Sequence, residues 1–212
     1  MHQLTNYVRY FIWRIYSKAC LLSPMQYFKL RDARKTPNLK LNVGCGSARY
    51  SGWLNIDIEP IADLAVDVTN GLPFDSDSID HIYCEHFLEH FTREQGMRIL
   101  AEFYRCLKKS GVARVAVPDL DHLINRYNGD WSDQEWLRRP SYDFIKTKGH
   151  MINVAFRWWG HQYMYNEEDL TRQLDSVGFA NIARREWGLS SFRELCNLET
   201  RKDTTLILEA VK

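Results

Sequence analysis

The sequence of 212 residues holds little that would mark a disulfide-stapled, membrane-spanning or nucleic-acid-binding chain. Its five cysteines (Cys20, Cys45, Cys84, Cys106 and Cys196) are odd in number, widely spaced and never arranged as C-x-x-C. That argues against a zinc knuckle and a disulfide framework, and suits a reducing, cytoplasmic setting. No apolar run approaches the roughly 18–20 residues that span a bilayer. Arg14 and Lys18 interrupt the N-terminal stretch that could otherwise serve as a signal-peptide core. The formal net charge is only +1, so bulk electrostatics make no case for nucleic acid. Repeats and low-complexity segments are absent. What remains is a globular composition rich in aromatics, long enough for one domain with an added arm or lid.

The charge is unevenly spread. Residues 1–36 carry seven Lys/Arg against one acid, Asp32. Within them, residues 5–22 read as an amphipathic helix, with Val8, Phe11, Ile12, Ile15, Ala19 and Leu22 on one face and Arg9, Arg14 and Lys18 opposite. Residues 1–37 are thus expected to form a basic helical arm. It could lie on an anionic membrane surface, or pack on its own domain or a partner subunit, which leaves a homo-oligomer open.

From Leu39 onward, short β-like runs alternate with helical ones, the mark of an α/β sheet. Strands are expected near 39–43, 53–58, 64–68, 79–84, 112–117, 180–187 and 204–211. One helix is well marked: Thr92 and Gln95 form a capping box, and Met97, Leu100, Ala101, Tyr104 and Leu107 its apolar stripe. Lys108 and Lys109 suit its C-terminal dipole, and Gly111 follows as a stop. A second helix is expected over about 167–176.

"HFLEH", residues 86–90, spells the inverted zinc-peptidase pattern. In that reading His86 and His90 hold a metal and Glu89 activates its water. Such a site needs both histidines on one continuous helix. The cap at Thr92 instead puts them before the helix, in the turn leaving the fourth strand. No metal is therefore assigned, and a zinc hydrolase using His86, His90 and Glu89 stands as a rival reading.

The stretch "LKLNVGCGSARYSGWLNIDI" is more informative. An apolar strand runs into Gly44-Cys45-Gly46, where the backbone can turn sharply and approach a ligand. A dinucleotide fold would continue to a third glycine, but that position is Arg49. Asp57 and Asp67 end the next two strands, and Glu85-His86 ends the fourth. In a parallel sheet these ends share one edge, where ligands bind at the switch point.

With "LNVGCG", "GWLNIDI", "DVTNGLPFDSDSID" and "HFLEHF" in this order, the sequence resembles the class I S-adenosylmethionine-dependent methyltransferases. More closely, it resembles the small bacterial branch often associated with surface-polysaccharide synthesis. The likeness covers about residues 38–118 and resumes at "EEDLTRQLDSVGF" and "TTLILEAV". It implies a Rossmann-like sheet of seven strands, mostly parallel, over residues 38–212, with S-adenosylmethionine as cofactor. By the same resemblance, Gly44, Cys45 and Gly46 would pass beneath the methionine portion. Asp57 and Ile58 would meet the ribose, Asp67 and Val68 would flank the adenine, and Glu85 and His86 would sit by the sulfonium. Asn42 stands where that family usually has an acid, so its contact with the cofactor would be weaker or water-mediated. Only ten residues separate Gly46 from Asp57, too few for a crossover helix. That shortening brings Arg49 close to the site.

Residues 119–165 form an insertion after the fifth strand with four tryptophans and three histidines. Such a segment reads as an aromatic lid over the substrate, or as a small core of its own. Arg49, Trp158, Trp159 and Gln162 are the expected substrate contacts, and His86, His161 and Asp119 the candidate bases. The reading is methyl transfer to an oxygen of a saccharide or lipid-linked saccharide. A non-catalytic protein of the same fold is the second rival.

Overall fold

A computed structural model describes residues 11–17, 19 and 23–212. Seven strands make one sheet: β1 (Lys40–Val43), β2 (Leu54–Asp57), β3 (Leu64–Ala65), β4 (Ile79–Glu85), β5 (Leu107–Val117), β6 (Ala180–Arg184) and β7 (Leu206–Val211). Their spatial order is β3-β2-β1-β4-β5-β7-β6, parallel except for β7, which runs antiparallel to β5 and β6. The expected seven-stranded, mostly parallel sheet is thus present. The chain winds outward from β1 to β3, then crosses back to lay β4 on the other side of β1. This puts the switch point between β1 and β4.

The central strands are buried, as apolar runs in a doubly covered sheet must be. Leu41, Val43, Ile56, Ile79, Ile82 and Val117 are completely enclosed, each contributing about 1.5–3 kcal/mol by leaving water. One cation lies among them. Arg114 of β5 is fully buried, with Nε 2.6 Å from Glu199 Oε1 and Nη1 2.6 Å from Glu209 Oε1.

Helix α1 (Pro24–Ala33) starts on the Ser23 cap with proline in its first turn, where a missing N–H costs nothing. Helix α2 (Arg93–Cys106) begins with the Thr92/Gln95 capping box, both of its hydrogen bonds being formed. Its end differs from expectation. The helix stops at Cys106 and β5 begins at once, so Lys108 and Lys109 lie on a strand rather than a helical last turn. The pairing of Leu107 with Ile79, followed by a register irregularity and Ser110 at φ +66°, takes the place of a loop.

As the spacing required, no helix joins β1 to β2; residues 44–53 form turns only. β3 is shorter than expected because Asp67 caps a 3-10 turn at Val68–Asn70. β6 ends three residues early, at Arg184. Of the expected helix over 5–22, residues 11–17 and 19 are helical; the others lie outside the described residues.

The insertion carries helices α3 (Leu120–Asn128) and α4 (Lys148–Arg157). It leaves the sheet at Asp119 and returns at Tyr165, and these two residues pair with each other. Leu123, Trp136, Ile145, Met151, Val154 and Ala155 make a separate small core. Helix α5 (Glu167–Val177) follows, capped by Asn166 and stopped by Gly178 at φ +114°.

Candidate active site at the carboxyl edge of the sheet

The glycine turn is held from two sides. Asn42 Nδ2 donates to Ala48 O and to Asn55 Oδ1, fixing the far end of the turn on β2. Gly44 N and Cys45 N both donate to Ile56 O, and Gly46 N donates to Asp57 Oδ2 at 2.9 Å. Asp57 also accepts from Glu59 N at 3.0 Å, and Ile58 follows it directly. Gly44 and Gly46 have φ of +68° and +47°, the left-handed region that suits glycine. Cys45 is buried, which together with Asp57 and Asp63 pushes its thiol up to about 12.

Asp67 is buried and fully used. It accepts from Thr69 N, Thr69 Oγ1 and Asn70 Nδ2, and from Arg14 Nε at 2.9 Å. The arm therefore touches the sheet at the strand end expected to flank adenine. Val68, next to it, is buried.

Beyond β4 the chain kinks: His86 has φ +48°, uncommon for a residue with a side chain. The HFLEH segment continues as a single 3-10 turn, Leu88–His90, and α2 begins at Arg93. The continuous helix of the zinc-peptidase pattern is not present. Glu85 does not point to open space. It accepts from Thr200 N, Thr200 Oγ1, Arg201 N and Thr204 Oγ1, pinning the loop before β7 across the strand ends.

His86 Nε2 lies 3.0 Å from Thr204 Oγ1, and its Nδ1 lies 3.1 Å from Glu89 Oε1. Burial would raise the Glu89 carboxyl, but His86, His90 and His161 hold it down to about 2. His161 is itself lowered to about 4, chiefly by burial. Its Nδ1 stands 2.8 Å from Ala155 O.

These groups open onto a cavity of about 560 Å³, lined by His86, His90, Asp119, Trp136, Trp159 and His161 among others. Asp119 caps α3 through Asp121 N and is paired with Arg184 at 3.1 Å. Of the four expected substrate contacts, only Trp159 lines this cavity. Trp158 packs on Phe144 at the surface. Gln162 tethers the insertion, its N donating to Glu89 O and its Nε2 to His90 O. Arg49 is ion-paired with Asp63 and lines a separate shallow depression with Tyr50 and Trp53.

The sequence reading missed the cationic wall of the cavity: Arg126, Arg138, Arg139, Arg201 and Lys202. These come from the insertion and from the loop before β7. For four of the five the only signal was their clustering, as "LRRP" and "TRKD"; Arg126 stands apart on α3.

Residues 41–115 match a family model described as a methyltransferase domain. Solved structures share the whole fold. A possible histamine N-methyltransferase from Thermotoga maritima superposes with a TM-score of 0.52 at 16% identity, covering 99% of this chain and 96% of that one. A methyltransferase from Methanosarcina mazei has a TM-score of 0.50 at 18% identity, over 90% and 98% of the two chains. One from Archaeoglobus fulgidus has 0.50 at 16%, over 94% and 99%. No curated protein matches the chain in sequence. Identities this low speak for shared architecture, while the domain match speaks for the chemistry. The fold is thus that of the class I methyltransferases, and residues 41–115 carry the methyltransferase domain, which supports S-adenosylmethionine as the cofactor.

Proposed function

We propose that the protein transfers a methyl group to a hydroxyl oxygen of a saccharide or lipid-linked saccharide. The observation that carries this reading is the cavity beside His86. It offers the aromatic faces of Trp136, Tyr142 and Trp159, suited to sugar rings, and several guanidinium groups, suited to a phosphate. The cofactor would lie against Gly44, Gly46, Asp57 and Asp67, at the switch point beside it.

Alignment of the acceptor with the sulfonium methyl supplies most of the rate. The acceptor must also lose a proton, and His86 is the residue we assign to take it. Its ring lines the cavity, with Nε2 3.0 Å from the hydroxyl of Thr204 and Nδ1 3.1 Å from Glu89. Asp119 is committed to Arg184 and the α3 cap, which favours His86 over it.

Attachment to a membrane surface is a second element of the reading. Phe11, Ile12 and Ile15 are exposed on the arm, and Met25, Tyr27 and Phe28 on α1, beside Lys29 and Arg31. Such a face suits an anionic bilayer holding a lipid-linked acceptor.

Calorimetry on EDTA-treated protein, comparing wild type with Asp57→Ala, tests the cofactor assignment. One site per chain, weakened at least about tenfold by the substitution, is expected. Methyl-labelled cofactor with a panel of saccharides and lipid-linked saccharides tests the acceptor. Binding without transfer to any of them would favour a non-catalytic role. Loss of vesicle binding on deletion of residues 1–36 tests the membrane contact.

A further inference from the structure

The HFLEH segment fails as a helical zinc motif, yet the fold brings a third donor to it from far along the chain. Glu89, His90 and His161 present one ligand atom each, all within 4.8 Å of one another. We infer that these three side chains bind a divalent transition-metal ion, zinc foremost, at the floor of the cavity.

Four observations converge on this. First, Glu89 is completely buried, and neither of its carboxylate oxygens accepts a hydrogen bond of acceptable geometry. His86 Nδ1 is near, at 3.1 Å, but out of line. A buried carboxylate that accepts no hydrogen bond is costly, and a cation held between it and the neighbouring imidazoles satisfies it.

Second, His161 is set up as a ligand. Its Nδ1 donates to Ala155 O, which selects the tautomer whose Nε2 carries a lone pair. That Nε2 stands 3.9 Å from Glu89 Oε1. A tetrahedral zinc ion holds its donors about 3.3–3.5 Å apart, so only small side-chain rotations are required.

Third, the juxtaposition is built by the backbone. Gln162 N and Tyr163 N both donate to Glu89 O, clamping the returning end of the insertion onto the Leu88–His90 turn. His161 stands one residue before the clamp, its side chain almost wholly enclosed. The His90 and His161 rings lie 5.1 Å apart, at 74° to each other.

Fourth, the donor set itself is informative. Two imidazoles and one carboxylate, with a further position open to a cavity, is the arrangement of catalytic rather than structural zinc. It is too rich in nitrogen for magnesium or calcium. His86, bonded outward to Thr204 and with Nδ1 3.1 Å from Glu89 Oε1, stands beside the carboxylate rather than among the ligands. The ion's open position faces the cavity, where an acceptor oxygen would complete the coordination and become more acidic. That role rests on the methyl-transfer reading; the binding of the ion does not.

The test uses the full chain without an affinity tag, stripped with EDTA and titrated with Zn²⁺ against a chromophoric chelator. One zinc per chain is expected. His161→Ala and Glu89→Gln should each weaken binding by roughly a hundredfold or more, and His86→Gln by about tenfold, as an outer partner does. His90 is partly exposed, so His90→Gln serves as a ligand variant with little risk to folding. Co²⁺ should give the visible bands of a tetrahedral site in wild type and lose them in that variant. Failure to bind zinc, stoichiometric zinc retained by the ligand variants, or preference for Mg²⁺ would each overturn the inference. Cofactor binding measured on the same stripped protein separates the cases. Intact cofactor affinity without zinc uptake removes the metal and leaves the enzyme; zinc uptake without methyl transfer does the reverse.

Discussion

The ring of Phe87 lies where a side chain on Gly44 would have to go. A methyl group at Gly44 would come 2.1 Å from Phe87 Cδ2, and the backbone there has φ +68°. The first turn of the sheet and the segment after β4 are therefore fitted to each other through the one residue type that leaves room.

Gly44→Ala should accordingly cost roughly 1–3 kcal/mol from backbone strain alone, with the clash added. Thermal melting would show the loss, and cofactor affinity should fall with it. Phe87→Ala in the same chain should recover part of the stability, because the two positions are coupled. Simple additivity of the two substitutions would contradict the fit.

Arg114 with Glu199 and Glu209 gives a second prediction. All three are buried, and Glu199 also accepts from Gly188 N at 2.9 Å. Glu199→Ala leaves a guanidinium underneath the loop with half its compensation gone. A loss of about 3–5 kcal/mol in urea-induced unfolding is expected. A change below about 1 kcal/mol would show that Glu209 and the Leu189 carbonyl, 2.9 Å from Arg114 Nη1, suffice.

His81 supplies a pH dependence away from the site. Burial lowers its protonation below the ordinary histidine range, and Nδ1 has no hydrogen-bond partner. The unfolded chain takes up this proton first, so the contribution of His81 is present above pH about 6.5 and lost as pH falls below it. Lys40 opposes the charged form, while Glu194, Asp80 and Glu209 favour it. His81→Gln should flatten the stability profile on the acid side of that pH; an unchanged slope would assign it to other groups.

Cys45 should be chemically quiet in spite of its place in the glycine turn. With its thiol raised to about 12, very little thiolate exists near neutrality. Alkylation followed by mass spectrometry should label the half-buried Cys196 well before Cys45.

The sheet was legible because its strands and helices differ in apolar period, and because Thr92 and Gln95 announce the start of α2. The start of β5 was not, since two lysines followed by a glycine look the same whether a helix is ending or a strand is beginning. Tertiary pairing of Leu107 with Ile79 decided it. Arg114 was unreadable for another reason. Its partners lie 85 and 95 residues further along, and nothing local distinguishes a buried arginine in "VARVAV" from an exposed one. The same holds for Glu85, whose acceptors are all spent on residues 200–204. At the site, the glycine turn and strand-end acids could be found by position, whereas the meeting of His161 with Glu89 depends on how a long insertion folds back.

The pairing of Asp119 with Tyr165 closes that insertion at its base. Helices α3 and α4 rest on their own core and are held at that base and by the clamp of Gln162 and Tyr163 on Glu89. Walls made by Trp136, Trp159 or Arg138 can be altered without moving any strand that carries the glycine turn. On the proposed reading, acceptor choice and cofactor chemistry would rest on separate parts of the fold, and a lineage could exchange the one while keeping the other.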